Sequence, residues 1–451
     1  MNRAALAIAG LAFVAASAAL AQSGDMATQA SAFMRSRTTD GYNAFDTATR
    51  VYRRPDGTGP VVSLVGVVHI GDRSYYDEIV GILGRSEIVL YESVLPRGAF
   101  GTRGRTDSER QRRTQDAMLF VRSLAEGFER ANGRPAASLE ELRAFTVARD
   151  TRLARPFDLA CVDGWGRRLG YSAAGGAYAF VSLGADGASG GSDEALDLVL
   201  PCLPRPSAES KPDDKIPDDK NPDHKKPDER RDLYKEFADA LGVSLQVRSI
   251  DYDRPGWEPA DLPMEELLDR LWRRGERSMT LEMLSKQDGF AQGMLRFLLS
   301  MVSDSPQFKK LVIQALGGAG EAAGRAQGNR RAGLGEVDER IIIDERNDAV
   351  IDELAHLLGS PTPPASVAIF YGAAHMGDFE STLRERWGLE PAEVVWSSAM
   401  GVDDWSDKKV RERIAALESA MKAIEEKDPA GAYPVCARLE WRLEQLRKRV
   451  K

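Results

Sequence analysis

Val61-Val62-Ser63-Leu64-Val65-Gly66-Val67-Val68-His69 decides the fold of this 451-residue chain. A short, valine-rich apolar run predicts a buried strand, and the Gly-x-x-His that closes it puts a histidine at the strand's tip. The pattern recurs far along the chain in Ser366-Val367-Ala368-Ile369-Phe370-Tyr371-Gly372-Ala373-Ala374-His375. The chain has four histidines, and two of them sit in this one context. Open α/β sheets carry their chemistry at the carboxyl ends of the strands. The glycine lets backbone pack closely, and a neutral imidazole offers its lone pair to a metal or a proton. One such histidine would read as structural; the repeated context is what points to a site.

Two further segments join them. Ser86-Glu87-Ile88-Val89-Leu90-Tyr91-Glu92-Ser93 predicts another strand with Glu92 at its end, where a carboxylate serves as metal ligand or as general base. The plainer reading of Glu92 is a cap for the next segment. Ile341-Ile342-Ile343-Asp344-Glu345-Arg346-Asn347 leads into an amphipathic helix over 349–358. Arg346 there would hold a substrate carboxylate or a polarised carbonyl, or would be salt-bridged at the helix start.

In this order, Gly-x-x-His, Glu92, Glu345-Arg346-Asn347 and the second Gly-x-x-His resemble the TraB/PrgY/GumN/Tiki family. Ile250-Asp251-Tyr252-Asp253-Arg254-Pro255-Gly256-Trp257 with Ala260-Asp261-Leu262 is similar to its bacterial members. The resemblance covers about 45–104 and 231–400. It implies an α/β fold related to erythromycin-esterase-like and ChaN-like proteins. Its Tiki branch implies metal-dependent proteolysis, with His69, His375 and Glu92 at the site and Arg346 beside them.

The N-terminus reads as a secretory signal peptide over 1–21. Asn2-Arg3 is followed by an alanine-rich apolar stretch at 4–20, and Ala19-Leu20-Ala21 gives a cleavage pattern. An uncleaved anchor is the alternative. The absence of a cysteine after the cut argues against a lipoprotein. No other apolar run is long enough to span a bilayer. The expected location is therefore periplasmic or secreted. The net charge of -8 and the lack of a basic stripe with interleaved aromatics argue against nucleic acid as a partner. Export permits disulfides. Of the three cysteines, Cys161 and Cys202 bracket one segment and are the candidate pair, which leaves Cys436 odd. Without C-x-x-C there is no zinc ribbon, and without H-E-x-x-H no zincin.

Both cysteines lie in an insert at about 105–203. It opens with a helix over 108–132, apolar at Ala117, Leu119, Phe120, Leu124 and Phe128. Short strands and glycine-rich turns follow, with Asp163-Gly164 as a turn and Trp165 as a core anchor. Clustered carboxylates at Asp186, Asp193, Glu194 and Asp197 in a flexible loop suit calcium, although the spacing is not that of an EF-hand. A solvated acidic turn is the other reading. Ser182-Leu183-Gly184-Ala185-Asp186-Gly187 with Gly190-Gly191, supported by Asp163-Gly164-Trp165-Gly166, resembles the globular part of the type II secretion major pseudopilin, the GspG-like family. The resemblance implies calcium in that loop, above all on Asp186. The family's prepilin start and long assembly helix are missing, so the insert reads as a borrowed binding or docking unit.

Residues 204–230 are a Pro/Asp/Lys linker with a five-residue quasi-repeat around Pro212, Pro217 and Pro222, too polar to bury a core. His224 belongs to it. Leu233, Phe237 and Leu241 predict a helix that stops at Gly242; 243–250 reads as a strand and 263–272 as a helix. The Met/Leu-rich 293–301 reads as core or lid, 317–335 as a Gly/Ala-rich loop, and His356 as a helix-face residue. Val394-Val395-Trp396 is the last strand. Residues 401–451 predict a helical hairpin, with Ile414, Leu417 and Met421 facing Leu439, Leu443 and Leu446 across a break at Asp428-Pro429.

The expected protein is an exported metal-dependent hydrolase acting on a peptide. His69 and His375 would bind manganese, cobalt, iron or zinc, with Glu92 as ligand or base and Arg346 as oxyanion or substrate contact. The competing expectation is a non-enzymatic protein that docks on envelope or secretion components through the insert.

Overall fold

The computed structural model describes residues 33–93, 95–202, 243–278, 306–325, 336–403, 405–427, 439–440, 442–444 and 446–447. The chain forms two compact units, one of 1–92, 232–250 and 271–451, the other of 93–231 and 251–270. The signal-peptide, linker, 232–241, 293–301 and Asp428-Pro429 readings, with His224 and Cys436, lie outside the described residues. None of the described helices is long and apolar enough to cross a membrane.

The first unit is α/β, built on a mixed sheet. The strands Val61–Val67, Ser366–Gly372 and Ile88–Tyr91 run parallel, with Ser366–Gly372 in the middle. Their apolar runs are almost wholly buried, as parallel strands require. Val61–Val67 pairs antiparallel with the second half of the long strand Tyr42–Arg53, whose first half pairs with Met34–Thr39. Glu390–Asp403 runs antiparallel along Tyr42–Arg53 and far exceeds the short strand expected at 394–396. The Met34–Thr39/Tyr42–Arg53 hairpin closes through Asp40-Gly41, both at positive φ. Such a two-residue turn matches the twist of the flanking strands.

Helices complete this unit. Arg73–Leu83 buries Tyr75, Tyr76, Ile79 and Leu83. Pro306–Arg325 is helical, so 317–325 is not the loop expected there. A Cβ at Gly317 would collide with Ser36, so this glycine serves close helix-to-strand packing rather than a turn. Only Ser244–Leu245 of 243–250 is extended, paired with Ile70–Gly71; Gln246–Ser249 coils into a helical turn. Glu336–Glu339 runs through a wide π-type turn, Arg340–Asp344, into the helix Glu345–Leu358. The three isoleucines at 341–343 fall in that wide turn, and β-branched residues hold a regular helix poorly. His356 is exposed on this helix, as expected. Toward the C-terminus, Asp407–Lys427 is helical, Leu443 and Leu446 are buried, and Arg447 pairs with Glu418 at 2.6 Å.

The second unit packs the helix Asp107–Asn132 with Leu139–Arg149, Ala154–Ala160 and a three-stranded antiparallel sheet. Thr106 caps the first helix by accepting from the Glu109 amide, and Gly133 ends it in the left-handed region. The sheet is Gly170–Ala174, Ala177–Ser182 and Leu198–Cys202. Phe120, Phe128, Phe157, Tyr178 and Phe180 share its core. Trp165 is not the expected core anchor: it is half-buried and its indole donates to Asp107 at 2.8 Å. The buried residue of that turn is Asp163, which accepts from Ser182 and from the Trp165 and Arg167 amides.

Residues 251–270 belong to this unit. The Met264 amide bonds Leu95, Tyr252 bonds Thr151, Arg155 pairs with Glu258, and Arg143 bridges Asp158 and Asp253. Cys161 and Cys202 are free thiols rather than a disulfide. Cys161 closes the Ala154–Ala160 helix inside the core, where burial pushes its thiol up to about 12. Cys202 ends its strand opposite Tyr178, with its sulfur turned toward the Leu200 carbonyl.

Candidate active site at the ends of three parallel strands

The register sets Gly66 beside Tyr371 and Val67 beside Gly372, so the two Gly-x-x-His motifs leave the sheet side by side. On the other flank Tyr91 faces Phe370, and the Glu92 amide extends the ladder by donating to Phe370 at 3.1 Å. His69, His375 and Glu92 therefore follow the carboxyl ends of three neighbouring strands, the edge where open α/β sheets hold their ligands. The motifs also touch. A Cβ on Gly66 would come within 3.3 Å of Ala373 Cβ and Met376 Cγ, so the first glycine lets the second motif's helix start pack on its strand.

Glu92 is held from two sides. Arg346 Nη2 donates to Oε1 at 2.6 Å, and the Gly372 amide donates to Oε2 at 2.9 Å. Burial by itself would raise this carboxyl; Arg346, His375 and His69, with the Arg346 hydrogen bond, outweigh it and hold the group well below the usual carboxylate range. Glu92 is thus a fixed negative charge, better suited to ligate or stabilise than to take up a proton as general base. Arg346 is buried, reaches the Ile342 carbonyl at 3.4 Å, and lies over the Tyr371 ring at 5.8 Å. Its guanidinium is committed first to Glu92.

His375 is buried between Tyr371, edge-on at 5.2 Å, and Phe379, stacked at 6.4 Å. Its Nδ1 lies 2.7 Å from Asn347 Oδ1, and Asn347 Nδ2 donates to Asp378 Oδ2 at 3.1 Å. His69 is exposed; its Nδ1 lies 3.1 Å from Gln246 Oε1, while the Gln246 amide donates to the His69 carbonyl at 2.9 Å. A proton on Nδ1 facing the amide oxygen would leave the lone pair on Nε2, the arrangement typical of metal-ligating histidines.

Asn347, Asp378 and Gln246 are the participants that sequence reasoning did not single out. Asn347 stood in the quoted Glu345-Arg346-Asn347, and Asp378 lies three residues beyond His375, on the same helical face. Gln246 is brought in by the Ile70–Gly71/Ser244–Leu245 pairing, which no local pattern announces.

Among the described residues, no three His, Cys, Asp or Glu side chains are grouped as metal ligands, either here or in the acidic loop. At the strand ends both Glu92 oxygens face donors, Arg346 and the Gly372 amide. In the loop Asp186 and Asp193 are exposed, while Glu194 and Asp197 are half-buried. Asp186 accepts from the Ala188 amide at 3.0 Å and Asp197 from the Gly190 amide at 3.0 Å. Asp193 stands at positive φ and Glu194 offers its backbone carbonyl to Ala185. Asp197 Oδ1 is buried without a hydrogen-bond partner.

No family model, curated protein or solved structure matches this chain.

Proposed function

We propose that this chain is a hydrolase acting on a peptide at the strand-end cluster of His69, Glu92, Arg346 and His375. The observation that carries the reading is that the two motif histidines and Glu92 follow the carboxyl ends of three neighbouring parallel strands, with Glu92 bonded to the Gly372 amide of the second motif. A divalent transition metal would be held through Nε2 of His69 and His375, with Glu92 as a third ligand only once its carboxylate turns from Arg346 and Gly372, since among the described residues the three are not gathered as ligands. Manganese, cobalt, iron or zinc bound there would polarise a substrate carbonyl and activate a water.

The chain's own residues supply the rest. Arg346 keeps Glu92 ionised and oriented, and its charge lies near enough to balance an oxyanion. His375, wedged between Tyr371 and Phe379, presents one ring edge in a fixed plane. The resemblance in motif order to the TraB/PrgY/GumN/Tiki family, with its erythromycin-esterase/ChaN-like fold, agrees with this assignment. The test is cleavage of a peptide library by the metal-loaded protein beside His375→Ala. Cleavage lost in the variant supports the reading; a wild type that cuts nothing with any of the four metals overturns it.

For the second unit we propose a pseudopilin-like docking role with calcium in the loop at 184–197. The buried, unpartnered Asp197 Oδ1 favours it, since a bound cation would satisfy such an oxygen. Calcium should raise the melting temperature of the full chain, and Asp197→Asn should abolish that rise; no rise in the wild type removes the proposal.

A further inference from the structure

We infer that Asp378 and Asn347 form a positioning relay that fixes His375 as its Nδ1–H tautomer and makes Nε2 the working nitrogen. The inference rests on the reading of His375 as part of the reactive centre. An asparagine amide presents an acceptor at one end and donors at the other, and a carboxylate only accepts. Asp378 Oδ2, 3.1 Å from Asn347 Nδ2, therefore dictates which way the amide faces. Rotating the amide by half a turn would set its oxygen against that carboxylate. The orientation that remains points Oδ1 at His375 Nδ1, 2.7 Å away, and only a protonated Nδ1 can make that bond. His375 and Asn347 are both about 5% exposed, so water does not compete freely for either group.

The placement follows from the fold. His375 and Asp378 lie three apart at the start of the helix Met376–Trp387. Asn347 adjoins Arg346 just after the wide turn Arg340–Asp344. One helix start thus delivers consecutive residues to two neighbouring strand ends, Arg346 to Glu92 and Asn347 to His375. Asn347 touches no reacting atom; it acts through the imidazole. Outer partners of this kind are typically worth about 10–100-fold in metal affinity or activity.

The tautomer can be read directly. With four histidines in the chain, nitrogen-15 labelling of histidine gives few ring signals, and the His375 set is the one lost in His375→Gln. In the metal-free wild type at mildly alkaline pH, His375 should show a protonated Nδ1 and a pyridine-type Nε2. Asn347→Leu should move the proton toward Nε2. The exchange Asn347→Asp with Asp378→Asn keeps an acceptor facing Nδ1 and should restore the wild-type pattern. A wild type protonated at Nε2 overturns the relay, as does a folded Asn347→Leu with an unchanged pattern. If Asn347→Leu does not fold, the wild-type spectrum and the exchanged pair still decide. A correct tautomer in a protein that binds no metal and cleaves nothing would defeat the hydrolase reading and leave the relay standing.

Discussion

Arg346 Nη2 meets Glu92 Oε1 at 2.6 Å, and neither side chain is more than about an eighth exposed (5% and 13%). Removing one partner of such a pair leaves a shielded charge without compensation. Glu92→Gln or Arg346→Met alone should cost about 3–5 kcal/mol, whereas Glu92→Gln with Arg346→Met should cost much less than the sum. Urea unfolding of the two single variants and the double variant checks this; strictly additive losses would show that the pair is not coupled.

The same pair makes stability depend on pH. The folded Glu92 carboxyl lies below its ordinary value of 4.5. Its contribution is therefore complete above that value and is lost as pH falls through the lowered folded one. The gap between the urea midpoints of wild type and Glu92→Gln should stay constant from about pH 7 to about pH 5 and narrow as the pH falls toward about 3. A gap that stays constant or widens below about pH 5 would contradict the electrostatic account.

The two motif glycines should answer differently to alanine. At Gly66 the added methyl would stand 3.2 Å from the Ala48 carbonyl oxygen and 3.3 Å from Ala373 and Met376. Overpacking of that kind costs about 1–3 kcal/mol. At Gly372 the nearest atoms are Glu92 Oε2 at 3.4 Å and His375 Cδ2 at 3.6 Å, which is ordinary contact. Thermal unfolding should place Gly66→Ala well below Gly372→Ala; equal melting temperatures would mean that the motifs do not pack on each other as described.

Free thiols at Cys161 and Cys202 can be counted chemically. Alkylation without reductant should label half-exposed Cys202 in the native protein and buried Cys161 only after unfolding. If neither is labelled in denaturant until reductant is added, the two form a disulfide after all.

The strand ends were legible because fully buried parallel strands are written as local apolar runs. Val61–Val67, Ile88–Tyr91 and Ser366–Gly372 stand out for that reason. The turn Asp40-Gly41 was an equally local hairpin signal, and it went unread because the flanking strands carry charged residues such as Arg35, Arg37 and Asp46. Those residues pair with one another: Asp46 accepts from Arg35 at 3.2 Å and Arg37 at 3.1 Å.

Other features could not be read locally. Charge repeats do not announce that Arg143 will bridge Asp158 and Asp253, so no local pattern showed what 251–270 packs against. Gln246 reaches His69 only because two short strands pair across more than one hundred and seventy positions (|i−j| of 177). The wide turn before Glu345 depends on how the helix beds into its neighbours, although the three isoleucines hinted that a regular helix would be strained there.

The central claim is that His69 and His375 serve one metal. The direct measurement is the metal content of purified wild type, His69→Ala and His375→Ala after loading with manganese, cobalt, iron or zinc. The account predicts about one tightly held ion per chain in the wild type and its loss in each variant. A wild type that retains none of the four, or variants that keep the ion as firmly as the wild type, would contradict it.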